Sequence, residues 1–116
     1  MSSEGMADMT ARVSLEALTQ IVAERGRADP AQSYTAKLLA KGVGEVAKKL
    51  GEEGVELALA AVAGPRERVI AETADLLYHL AVLLAAREVS LAEVEAELAR
   101  RTGLSGLAEK ASRAKE

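Results

Sequence analysis

The sequence predicts an all-α fold of about five helices, completed by homodimerisation. Three observations lead there. Apolar residues recur at helical spacing, and no stretch alternates as a half-buried strand requires. Glycine and proline interrupt the pattern at Gly26, Gly42 and Gly64-Pro65, where helices must stop. The stretch Leu76–Ala86 is apolar nearly all round, so a helix there needs cover on several sides. A small bundle supplies too little cover, and a second copy of the chain would supply the rest.

The 116 residues suit one domain. Residues 1–13 read as a flexible N-terminal tail and 14–116 as a single domain. Ser14 caps the first helix, whose apolar stripe is Leu15, Leu18, Ile21 and Val22, and Gly26 ends it. Asp29-Pro30 fits a helix start, since proline is tolerated in a first turn. Ser33–Lys41 reads as a short helix stopped by Gly42. The third helix is expected over Glu45–Ala63. Gly51 and Gly54 lie inside it at about 1 kcal/mol each relative to Ala, which means either close backbone approach or a weaker helix. Gly64-Pro65 breaks it, and Pro65 opens a long helix to about Glu88. Ser90-x-x-Glu93 is a capping box that opens a last helix, Leu91 to about Thr102. Gly103–Glu116 carries a basic end of Lys110, Arg113 and Lys115.

Composition removes several function classes. Apolar residues make up 49% of the chain, with two Tyr, no Phe and no Trp, so the core is aliphatic. The lack of cysteine excludes disulfides, cysteine-ligated zinc and thiol catalysis, and agrees with a reducing cytosol. A net charge of −3 and a pI near 5.3 argue against general nucleic-acid binding. The first 13 residues hold no continuous apolar stretch, so no secretory signal is expected there. Leu76–Ala86 is too short to span a membrane and is bounded by Asp75 and Arg87. A soluble cytoplasmic protein is expected. No Walker loop, GxGxxG or His-x-x-x-His occurs, and the single histidine offers no sign of a serine–base pair.

Chemistry concentrates in Glu53-x-x-Glu56 and Glu72-x-x-Asp75, with 15 residues between the pairs. An i,i+3 spacing puts both members of a pair on one helix face. On antiparallel neighbouring helices the four carboxylates would converge and repel unless a cation joined them, and hard divalent cations take oxygen ligands. The bland alternative is a solvated face balanced by lysines, through Glu45–Lys49, Lys48–Glu52 and Lys49–Glu53 at i,i+4. For Glu45 and Glu52 that alternative is preferred. Glu72 and Asp75 resist it, because they directly precede the most apolar stretch and Asp is a poor mid-helix residue. Glu52 is open between further ligand, general base and surface partner of Lys48. Lys37, Lys41, Lys48 and Lys49 could meet phosphate oxygens, although solubility explains any one of them. Arg100 and Arg101 already suit a helix C-terminus. His79 lies i+4 from Asp75 and reads first as a packed, hydrogen-bonded core residue, with Tyr78 as core or interface.

Three segments carry a family resemblance. They are Ser33-Tyr34-Thr35-Ala36-Lys37-Leu38, Lys48-Lys49-Leu50-Gly51-Glu52-Glu53-x-x-Glu56, and Glu72-x-Ala74-Asp75-Leu76-Leu77-Tyr78-His79-Leu80. Together with Arg101–Gly106 and Glu109–Arg113, they resemble the phosphoribosyl-ATP pyrophosphohydrolases of histidine biosynthesis over roughly Leu15 to Arg113. These belong to the MazG-like all-α nucleotide pyrophosphohydrolases, whose signature is ExxE followed by ExxD. The resemblance implies Mg²⁺-dependent hydrolysis of the α–β phosphoanhydride of phosphoribosyl-ATP, giving phosphoribosyl-AMP and pyrophosphate. It implies that Glu53, Glu56, Glu72 and Asp75 ligate Mg²⁺. Glu52 and Glu53 become the catalytic candidates, Glu52 as an added ligand or water activator, and Lys37, Lys48 and Lys49 the phosphate contacts. It also implies an antiparallel bundle completed by a second chain, in the stand-alone form rather than fused to the next enzyme. The rivals are a house-cleaning NTP pyrophosphatase with the same ligands and a non-catalytic helical dimer. Closure of the tail from Gly103 over the substrate is a further expectation, suggested by its glycines with Lys110 and Arg113.

Overall fold

The computed structural model describes residues 11–103 and Arg113. Most of the expected N-terminal tail lies outside the described residues, as does almost all of the segment expected to close over the substrate. Among the described residues there are five helices and no strand, so the all-α class holds. They are α1 (Leu15–Gly26), α2 (Tyr34–Ala40), α3 (Val43–Ala63), α4 (Arg66–Ala86) and α5 (Leu91–Thr102).

Local chemistry sets the helix boundaries. The Ser14 hydroxyl accepts from Ala17 N–H at 3.1 Å and opens α1. Asp29-Pro30 does not start a helix. The Asp29 carboxylate accepts from Ala31 N–H at 3.0 Å, and its carbonyl accepts from Gln32 and Ser33 N–H. Its own side chain thus closes a turn, and the helix waits for Ser33. Ser33 Oγ accepts from Ala36 N–H at 3.1 Å and donates to the Arg25 carbonyl at 2.9 Å, tying the end of α1 to the start of α2. Gly26 permits that closeness, since a Cβ there would stand 2.6 Å from Leu39 Cδ1. Gly42 has φ of 97°, a conformation that favours glycine, and the helix that follows begins at Val43, two residues before the expected Glu45. Nothing in the chain lies within 4 Å of a Cβ built on Gly51 or Gly54, so they mark no close approach within this chain.

Gly64 and Pro65 alone join α3 to α4, which makes the largest helix contact of the fold. α4 touches α1, α2 and α3 and is the core helix. Its 21 residues are long and apolar enough to cross a bilayer by length and composition, although the Leu76–Ala86 stretch alone is too short. The core is Val22, Leu38, Val46, Ala81 and Val82, ringed by Leu18, Leu39, Tyr78, Leu83 and Ala85. No residue from Leu76 to Ala86 is exposed in the single chain. On α3 and α4 the most exposed large apolar side chains are Val55, Leu59, Val62 and Ile70, and Val13, Tyr34 and Leu98 are also more than half exposed.

Past α4, Val89 N–H donates to the Leu84 carbonyl at 2.9 Å and Glu88 N–H to the Ala85 carbonyl at 3.2 Å. This pair is the Schellman closure, with Glu88 in the left-handed position at φ of 55° where glycine usually stands. The Ser90–Glu93 capping box then opens α5, as expected, and α5 buries none of its residues. Replacing Glu88 by Gly relieves the strain, partly offset by a freer unfolded chain. Urea denaturation of Glu88→Gly should show a gain of up to about 1 kcal/mol.

Candidate metal centre

α3 and α4 bring three carboxylates into one group. Glu53 and Glu56 sit one turn apart on α3, Glu72 faces them from α4, and one oxygen from each lies within 4.8 Å of the other two. Glu53 and Glu72 are half-buried and Glu56 is exposed. Glu72 Oε2 is buried and has no hydrogen-bond partner. Burial pushes the Glu72 carboxyl above its ordinary value of 4.5, and the charges of Glu56, Asp75 and Glu53 push it further. Arg68, one turn earlier on α4, opposes them. A buried carboxylate oxygen without a donor, facing two more carboxylates, is an anion awaiting a counterion. The donors are all oxygen, which fits a hard cation such as Mg²⁺ and not a soft one.

Asp75 does not join this group. It is exposed and lies about 4.5 Å further along the axis of α4 from Glu72. Its charge still reaches Glu72. Its backbone carbonyl accepts from His79 Nδ1 at 2.9 Å. A carbonyl only accepts, so Nδ1 donates, and Nε2 is buried without a hydrogen-bond partner among the described residues. His79 is 8% exposed and packs edge-on to Tyr78 at 5.0 Å, which makes it the core histidine expected rather than a support of the Asp75 carboxylate.

Glu52 is exposed and pairs with Lys49 Nζ at 3.9 Å, an interaction worth little between half-exposed groups. Its partner is therefore Lys49 rather than Lys48. Among the described residues none of the three i,i+4 pairs expected on this helix closes to ion-pair distance. Glu52 instead borders a groove of about 440 Å³ with Gly51, Val55, Glu56 and Leu59. Lys37 and Lys48 are exposed. Lys37 lines a cavity of about 540 Å³ whose walls include Tyr34 and none of the carboxylates.

Tyr34 and Thr35 were not singled out for any role by pattern reading. Thr35 Oγ1 and Tyr78 OH share a hydrogen bond at 2.6 Å, and the two tyrosine rings stack at 6.4 Å. The signal available in the sequence was scarcity: two aromatic rings besides one histidine in 116 residues.

A family profile described as Phosphoribosyl-ATP pyrophosphohydrolase matches residues 15–102. The chain is 63% identical over 102 residues to the phosphoribosyl-ATP pyrophosphatase of Azorhizobium caulinodans, covering 88% of this chain and 94% of the relative. It is 57% identical over 99 residues to that of Novosphingobium aromaticivorans, covering 85% and 92%. It is 58% identical over 99 residues to that of Dinoroseobacter shibae, covering 85% and 97%.

The raised Glu72 carboxyl makes a stability prediction. The folded state holds this proton more tightly than the unfolded state, so stability falls as pH rises above about 4.5 and through the raised folded-state value. Without metal at pH 7, Glu72→Gln should melt higher than the parent by circular dichroism, and the gap should close as pH drops below 4.5. Added Mg²⁺ should raise the parent's melting temperature and raise the variant's less.

Proposed function

The chain belongs to the phosphoribosyl-ATP pyrophosphohydrolase family, and on that footing we propose how it hydrolyses phosphoribosyl-ATP in histidine biosynthesis. Glu53, Glu56 and Glu72, with Asp75 beside them, would hold Mg²⁺. The observation that carries this is the buried, partnerless oxygen of Glu72 in a group with the carboxylates of Glu53 and Glu56. A Mg²⁺ bound there would neutralise charge on the phosphoanhydride oxygens and acidify water.

The chain's own groups do the rest. Water adds to the α-phosphorus, the bond to the bridging oxygen of the β-phosphate breaks, and pyrophosphate leaves from phosphoribosyl-AMP. Glu52, in the groove beside Glu56, accepts the proton of the attacking water. Its weak pair with Lys49 leaves it free to do so. Lys37, Lys48 and Lys49 are exposed or nearly so and offer point charges to the phosphates.

The working unit is a homodimer with its helices in an antiparallel bundle, and it acts in the cytoplasm. Val55, Leu59, Val62 and Ile70 are 60%, 61%, 88% and 59% exposed in the single chain. An apolar surface of that kind, rimmed by Glu52 and Glu56, suits a second copy.

Pyrophosphate release from phosphoribosyl-ATP tests the reaction. It should stop in EDTA and return with Mg²⁺, and Glu53→Gln should lower it at least about a hundredfold with helix content unchanged. Release undiminished in EDTA would sink the metal assignment. Light scattering tests the assembly. The parent should have twice the 12.1 kDa chain mass, and the double variant Val55→Ser, Leu59→Ser should have the single-chain mass. A monomeric parent would remove the dimer.

A further inference from the structure

The chain's two tyrosines meet although 43 residues separate them in sequence, and no Phe or Trp accompanies them. Their rings lie 6.4 Å apart and 26° from parallel. Tyr78 is fixed, with its hydroxyl bonded to the buried Thr35 and its ring edge-on to His79. Tyr34 is not a core ring. It is 57% exposed and borders a cavity of about 510 Å³ that Arg25, Gln32 and Tyr78 also line. That volume suits a small ligand. The cavity has a firm wall, because Ser33 Oγ is committed both to Ala36 N–H and to the Arg25 carbonyl. It also has an address. Tyr78 stands six residues after Glu72 on α4, about 9 Å along the axis and about a third of a turn round it, so one helix carries both groups on different sides.

An exposed aromatic face over a cavity that also offers an amide and a guanidinium is a stacking platform for a base. We propose that this cavity is the nucleobase subsite, in which the adenine ring of the substrate stacks on Tyr34. The proposal rests on the substrate assigned above. Stacking on Tyr34 places the base, the Gln32 amide offers a donor and an acceptor to its edge, and Arg25 stands where a phosphate carried by the base's substituent would meet a cation. Tyr78 and Thr35 hold the platform in place rather than touching the base.

Calorimetric titration with AMP and with ribose 5-phosphate tests this without turnover. Tyr34→Ala should weaken AMP about tenfold or more and leave ribose 5-phosphate unchanged, and Tyr34→Phe should restore AMP binding. In steady state, Tyr34→Ala should raise KM for phosphoribosyl-ATP by a similar factor, with a smaller loss in kcat. Parental AMP affinity and KM in Tyr34→Ala would overturn the subsite, as would equal losses for AMP and ribose 5-phosphate. If the parent fails to hydrolyse phosphoribosyl-ATP yet binds AMP through Tyr34, the reaction assignment falls and the subsite stands.

Discussion

Like charge held at short range across the α3–α4 seam is the constraint on which the rest of the structure depends. Glu53, Glu56 and Glu72 would separate if they could, and one oxygen of Glu72 is buried without a donor. The fold overrides that repulsion. A two-residue link keeps the helices together, and α4 is anchored on three neighbours. The same geometry that disfavours the bare protein would favour a hard cation, because the carboxylate oxygens already lie within 4.8 Å of one another.

The scaffold around the seam serves to keep α4 still. Val82 and Ala81 pack among Val22, Leu38 and Val46, so α1, α2 and α3 all fix the register of α4. His79 spends its proton on the backbone one turn earlier, and Tyr78 is bonded to α2 through Thr35. Ser33 and Gly26 lock α2 against the end of α1. These contacts carry no chemistry themselves. They hold the carboxylates on one side of α4 and the aromatic pair at a fixed distance along it.

What the single chain leaves open is as informative as what it closes. The most apolar run of α4 is covered from within, while Val55, Leu59 and Val62 on α3 and Ile70 on α4 are exposed, the first two in the groove with Glu52 and Glu56. Solvent therefore meets the molecule at an apolar strip and at the aromatic cavity. The proposed second copy would answer the first surface, which borders Glu52 and Glu56, and the proposed nucleotide the second.

The helices and their ends were legible in the sequence because their causes are local. Ser14, Ser33, Gly42, Gly64-Pro65 and the Ser90–Glu93 box act within a few residues, and ExxE followed by ExxD marks two acidic faces from spacing alone. Asp29-Pro30 was misleading because an Asx turn and a helix start share the same residue types. Tertiary structure alone decided which acidic groups meet. Glu72 joins Glu53 and Glu56, while Asp75 turns toward solvent and Glu52 toward Lys49. It alone placed Tyr34 against Tyr78 and turned the exposed apolar strip to α3. Such facts depend on how two helices are rotated about their own axes, and that rotation is set by packing between residues far apart in the chain, which no local pattern records.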